Sequence, residues 1–248
     1  MNKYIEGFLS AISFFTLIPA GEKREISKNT MYFFTITGLV TGLIAGLPYL
    51  LLRPYSPLIA SAIAVSIIVV IYGFNHFDSI MDFGDSFMVR GTEAKQRVIK
   101  DRYTGSGGIG MVFIVYVPAI ALLTFFNPLS GFMVIISGEM VSKYATLISM
   151  YRSKPFGSGI GSMFISMVGT GSVLLNLIPM ILIVLFNLYN VGIASGVLIM
   201  AYAIKRGMEK QYDGINGDLI GSVGEISRTL FYFLAFIFII FHLNLFLL

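Results

Sequence analysis

The chain has no cysteine and no tryptophan, and only 12% of its 248 residues are charged. Without cysteine there is no disulfide, no thiolate nucleophile and no thiolate ligand, so the commonest zinc and iron–sulfur centres are excluded. Without tryptophan, the 22 Phe and 13 Tyr must supply any aromatic anchoring at a membrane interface. The charged share is about half that of an ordinary soluble domain. With 56% hydrophobic residues and a mean hydropathy of +0.84, it cannot cover a water-facing surface. The net charge of +4 is small and scattered, which argues against a nucleic-acid partner.

What is present is a series of apolar runs of about 17–22 residues, enough to cross roughly 30 Å of hydrocarbon as helix. They predict an all-α, polytopic membrane protein, with spans near 31–52, 57–75, 109–126, 129–150, 172–189, 191–205 and 229–247. The sixth is the weakest, being short and glycine-containing. No polar stretch is long enough for a second domain, so residues 1–248 read as a single integral membrane domain. No cleavage site follows the first apolar segment. Residues 2–19 instead read as a helix lying in the membrane surface, with Tyr4, Phe8, Ala11, Phe15 and Ile18 on one face and Lys3, Glu6, Ser10 and Ser13 on another.

These spans gather every Lys and Arg except Arg53 and Lys143 on one side, including Lys23, Arg24 and Arg228. By the positive-inside rule that side is cytoplasmic, together with the N-terminus, and the C-terminus is outside. The implied location is the cell (plasma) membrane. Gly38, Gly42 and Gly46 leave a bare stripe on the first span, which predicts a close helix contact.

The long connections fall on the basic side, and so does the chemistry. Asp78, Asp82 and Asp85 stand at i, i+4 and i+7 and share one helix face. Crowded carboxylates repel one another and resist desolvation unless cations compensate them. Carboxylate oxygens suit Mg²⁺ or Mn²⁺, which share their remaining positions with water and substrate phosphates. The plainer alternative is a solvated acidic helix end. In Lys100-Asp101-Arg102-Tyr103-Thr104-Gly105-Ser106-Gly107-Gly108, exposed amides before a span could seat a diphosphate, aided by Arg90, Lys95, Arg97, Lys100 and Arg102. Such a loop is also an ordinary entry to a helix. A third patch, Gly214 to Glu225, puts Asp218 and Glu225 seven apart, unless Asp218 is simply a helix cap. A fourth, Arg152 to Gly161, adds basic groups and glycines. Within the membrane, Glu139 and Lys143 can pair on one face, either for function or for mutual neutralisation. His242 reads as incidental.

The pattern His76, Asp78, Asp82, Asp85 resembles the adenosylcobinamide-GDP ribazoletransferase family, also called cobalamin (5′-phosphate) synthase. The resemblance runs along nearly the whole chain. It includes Phe14 to Pro19, the spaced glycines Gly38 to Gly46, Lys100-Asp101 with Gly105 and Gly108, Ser142-Lys143, Arg152 with Gly157, Gly159 and Gly161, and Gly214 to Glu225. Ser79 and Ser86 stand where the family has glycine, Lys143 where it has Arg and Asn216 where it has Thr, while the acids are kept.

The resemblance implies a Mg²⁺-dependent phosphoryl transfer at the cytoplasmic face. Adenosylcobinamide-GDP and α-ribazole, or its 5′-phosphate, would be joined with release of GMP, as the last assembly step of vitamin B12 biosynthesis. It further implies metal ligation by Asp78, Asp82 and Asp85 with Asp101 or Asp218, and a catalytic role for Asp82. His76 would be the general base or a phosphate donor. Lys100, Arg102, Gly105, Gly108, Lys143, Arg152 and Glu225 would bind substrate. A CDP-alcohol phosphotransferase would need Asp-Gly-x-x-Ala-Arg, which Asp82-Phe83-Gly84-Asp85 does not supply. A transporter would need polar groups carried through the spans. Small-molecule substrates and the bilayer are the expected partners, and an oligomer is compatible with the sequence.

Overall fold

A computed structural model describes residues 2–20, 25–186 and 188–245; Lys23, Arg24 and the side chain of His242 lie outside what it describes. The chain is helical: α1 (Lys3–Phe15), a 3-10 turn (Thr30–Phe33), α2 (Phe34–Leu52), α3 (Pro57–Ile71), α4 (Asn75–Phe87), α5 (Thr92–Val98), α6 (Ser106–Leu123), α7 (Pro128–Met150), α8 (Ile160–Met167), α9 (Thr170–Phe186), α10 (Leu188–Tyr212) and α11 (Gly217–Leu245). The only β pairing among the described residues is an isolated bridge between Pro155 and Ile215.

Among the described residues, five stretches are long and apolar enough to cross a membrane: Thr30–Leu52, Ser106–Leu123, Pro128–Met150, Tyr189–Tyr212 and Gly217–Phe241. Two bent pairs, α3 with α4 at 92° and α8 with α9 at 86°, raise the number to seven if each is one span. The starts of α3 and α7 follow from local chemistry. Ser56 and Asn127 accept the Ile59 and Ser130 amides, and a proline stands at the first helical position of each. The turn from α3 into α4 is made by Gly73 and Phe74, both at positive φ (62° and 61°). That reversal ends the second span at Ile71 and lays α4 across the end of the bundle.

Three boundaries differ from the sequence reading. The sixth span is the 25-residue α10. The last helix begins at Gly217, not near 229, which carries Arg228 into the bundle interior at 2% exposure. The surface helix α1 ends at Phe15 and buries Gly7, Ser10, Ala11 and Ile12, while Tyr4 and Phe14 are exposed. Small residues win that face because Gly7 lies against the Asn29 backbone, where a Cβ would sit 2.7 Å from the carbonyl oxygen. The Ser10 hydroxyl is satisfied by the Glu25 carbonyl and by Thr30.

Helix α7 is the axis. The expected glycine stripe packs on it: a Cβ at Gly38 would meet the Glu139 carbonyl oxygen at 2.5 Å, and one at Gly42 the Ile136 Cα at 2.7 Å. Arg53 serves the end of the bundle remote from the acidic helix. Its Nε and one terminal nitrogen each donate at 2.8 Å to the Phe126 and Thr124 carbonyls just beyond α6. Arg53→Ala is therefore expected to lower stability by about 1.5–3 kcal/mol, the range for hydrogen bonds to a charged group. Thermal unfolding in detergent checks this, and Arg53→Lys should recover little because an ammonium lacks the planar fork.

Candidate active site

Helix α4 is amphipathic. It buries Ser79, Ile80, Phe83, Gly84 and Ser86 and leaves Asp78 and Asp82 to line a polar cavity. Helix α6 crosses it with almost no separation, since a Cβ at Gly84 would lie 2.5 Å from the Gly107 carbonyl oxygen. Asp85 holds this crossing together. One carboxylate oxygen accepts the Gly105 amide at 2.6 Å and the other the Gly108 amide at 2.8 Å, capping α6 from a different helix. The two amides expected to meet an anion are thus donated to Asp85.

Helix α11 crosses the other side of α4. The Ser222 hydroxyl donates to the Ser79 carbonyl at 2.8 Å, and Gly221 faces Ser79 and the His76 Nδ1. Asn216, not Asp218, caps α11: its side-chain oxygen accepts the Leu219 amide at 3.1 Å, and its amide nitrogen donates to Asp218 at 2.7 Å. Relieved of capping, Asp218 lines the cavities.

Two cavities meet there. One, of about 440 Å³, is walled by Asp78, Asp82, Asp101, Asp218, Lys100, Arg102, Thr104 and Ile99. The other, of about 410 Å³, shares Asp78 and Asp218 and extends past His76, Tyr72 and Ser79 into a wall rich in phenylalanine. Asp82 feels the crowding: burial, then the charges of Asp218, Asp78 and Asp85, push its carboxyl up to about 7.

The remaining predicted residues are placed unevenly. Lys143 and His76 are brought together, with Lys143 Nζ 2.8 Å from His76 Nε2 and 3.5 Å from the centre of the Tyr72 ring. The expected Glu139–Lys143 pairing is replaced, because Glu139 pairs with Arg228 and accepts the Tyr72 hydroxyl at 2.6 Å. Glu225 is also drawn inward, bound by two Arg228 nitrogens at 2.5 and 2.7 Å and by the Tyr116 hydroxyl at 2.8 Å. It lines neither cavity. Arg152 is exposed at a positive φ of 53°, over the Tyr151 ring and away from both cavities. Lys95 is buried against the Ser86 carbonyl.

Sequence reasoning missed three contributors: Arg228, Asn216 and the phenylalanine wall. The first had a visible signal, its i,i+3 spacing from Glu225.

The donor set can be tested against a divalent cation. Among the described residues no three carboxylate or imidazole groups form a ready-made metal cluster. Asp78, Asp82, Asp101 and Asp218 nevertheless offer hard oxygen atoms to one cavity beside two cations. Mg²⁺ needs no protein cage, since it commonly takes one or two carboxylates and completes its shell with water and substrate phosphate. The residues fit that ion.

The sequence profile of the cobalamin-5-phosphate synthase family matches residues 7–236. The chain is 39% identical to the adenosylcobinamide-GDP ribazoletransferase of Picrophilus torridus over 231 residues, covering 91% of this chain and 95% of the relative. It is 37% identical to that of Thermoplasma volcanium over 238 residues (94% and 91% of the two chains). For that of Archaeoglobus fulgidus the identity is 30% over 223 residues (88% and 91%). No solved structure matches the chain.

Proposed function

Because the chain belongs to the cobalamin-5-phosphate synthase family, we propose that it is the transferase that joins adenosylcobinamide-GDP to α-ribazole or its 5′-phosphate. The products are adenosylcobalamin, or its 5′-phosphate, and GMP. The observation that carries this reading in the structure is the cavity walled by Asp78, Asp82, Asp101 and Asp218 together with Lys100 and Arg102. Such a wall suits a diphosphate with a divalent cation, because phosphoryl transfer asks the protein mainly for positioning and charge neutralisation.

In this reading Lys100 and Arg102 hold the diphosphate oxygens, Arg102 with its planar fork. Asp82 with either Asp78 or Asp218 would hold Mg²⁺, with Asp101 in the same cavity wall. When bound, the ion would neutralise charge that develops on the phosphates. The acceptor's ribose 3′-hydroxyl oxygen bonds to the phosphorus attached to the cobinamide arm, and the bond from that phosphorus to the oxygen leaving with GMP breaks. Asp78 and Asp218, common to both cavities, orient that hydroxyl, and the one left off the ion takes its proton. Lys143 Nζ sits 2.8 Å from His76 Nε2 and ties up that ring nitrogen. His76 is then a positioning group in the cavity wall and not the base. Asp85 acts through position, by fixing α6 against α4.

We orient the site end toward the cytoplasm of a cell membrane. Among the described residues that end carries Arg90, Arg97, Lys100, Arg102, Arg152 and Lys154, against Arg53 at the other.

The test is GMP release by protein purified in nanodiscs. It should require both substrates and Mg²⁺ and give a corrinoid of the joined mass. Folded protein that yields no joined product with either acceptor form would sink the assignment.

A further inference from the structure

The 410 Å³ cavity has a composition that phosphate chemistry does not explain. Its outer wall is built from Phe14 and Phe15 of α1, Phe34 of α2 and Phe164 of α8, backed by Met150 and Ile220. Two of the ring pairs already meet edge to face, Phe15 with Phe34 and Phe14 with Phe164, while Phe15 and Phe164 are tilted. Phe15 lies 4.5 Å from Phe34 and 5.3 Å from Phe164, and Phe14 lies 5.4 Å from Phe164 at 86°. Such contacts leave ring faces and edges for a further flat ring to join. At its inner end the cavity opens onto Asp78 and Asp218, which it shares with the polar cavity. An occupant is therefore flat and largely apolar at one end and carries a hydroxyl about one sugar away at the other.

We infer that this cavity seats the heteroaromatic base of the acceptor nucleoside, with Phe164 and Phe14 as its specificity-determining walls. The inference rests on the transfer reading above and adds to it where the acceptor lies. A corrin macrocycle is too large for the space. The guanine of the donor fits its chemistry poorly, since the amide edge of that base would face phenylalanine with donors and acceptors unpaired. A benzimidazole has no such edge. Seated among the rings, it places its ribose at Asp78 and Asp218, where the two cavities meet and the diphosphate begins. The surface helix α1 thus supplies substrate contacts as well as an apolar face to the bilayer.

The chain's lack of tryptophan makes the test direct, because benzimidazole fluorescence can be followed over a background of tyrosine alone. Wild type, Phe164→Ala and Phe14→Ala in detergent micelles, with no scaffold protein present, are titrated with α-ribazole, and KM is measured for each substrate. Phe14 is 40% exposed, so its removal leaves folding intact if Phe164→Ala does not. The expected result is a Kd and KM for α-ribazole raised about tenfold, toward the lower part of the range for losing one base–aromatic contact. The KM for adenosylcobinamide-GDP should stay within about twofold. An unchanged α-ribazole Kd in folded variants overturns the inference, as does a rise in the donor's KM alone, which would put guanine in the seat. Joined product from wild type with either of those results leaves the transfer reading standing. Fluorescence binding weakened by both variants, with no joined product from wild type, keeps the seat and removes the transfer reading.

Discussion

Asp82→Asn is expected to lower joined-product formation roughly 10²- to 10³-fold, which corresponds to about 3–4 kcal/mol of lost transition-state stabilisation. The substitution keeps size and shape and removes one charge from the cavity that Lys100 and Arg102 also line. Its effect on stability should have the opposite sign. The Asp82 carboxyl is pushed up to about 7 by burial and by Asp218, Asp78 and Asp85. A carboxyl raised in the folded state is favoured there when protonated, so its contribution is intact below about pH 4 and is lost as pH rises through about 7. At pH 8 in chelator, Asp82→Asn escapes that repulsion and should unfold at the same temperature as wild type or higher. Below about pH 4 the difference should vanish.

Adding Mg²⁺ separates the two roles. Wild type should gain thermal stability, because a ligand that binds only the folded state stabilises it, and Asp82→Asn should gain less. A variant with wild-type turnover would remove Asp82 from the chemistry. One that is inactive and also less stable at pH 8 would make it a structural residue.

The parts legible in the sequence are those that local periodicity controls. Apolar runs set the helices, the i, i+4, i+7 spacing put three aspartates on one face of α4, and Gly38 and Gly42 announced the contact with α7. Roles decided by tertiary partners were not legible. Asp85 looked equivalent to Asp78 and Asp82 until α6 laid the Gly105 and Gly108 amides on it. Asp218 and Asn216 compete for one cap, and only the geometry of the loop assigns it to Asn216. The four phenylalanines of the second cavity come from α1, α2 and α8, whose convergence no local pattern reveals. Arg228 was misplaced because an arginine before an apolar run reads as a loop residue. Here the helix starts a further eleven residues upstream, and two carboxylates make burial of the guanidinium tolerable.

That burial sets the largest structural effect. Arg228 is 2% exposed, between Glu139 at 0% and Glu225 at 2%. It is the only described cation within salt-bridge distance of either. Arg228→Met keeps most of the volume but strands two carboxylates in the bundle, and removing one member of a buried ion group costs about 3–5 kcal/mol. Heat challenge followed by size-exclusion chromatography should show a large loss of folded protein. Arg228→Lys should recover only part of it, because one ammonium cannot fork to both acids. Replacing the whole group, Glu139→Gln and Glu225→Gln together with Arg228→Met, should restore much of the stability, since no buried charge is then left unpaired within it. In surviving Arg228→Met protein, Lys143 becomes the nearest compensating cation for the stranded acids. Its bond to His76 should weaken, and turnover should fall even among folded molecules. Stability of Arg228→Met within about 1 kcal/mol of wild type, below the cost of stranding a buried charge, would mean that the group is not ionised and that something other than charge pairing joins α7 to α11.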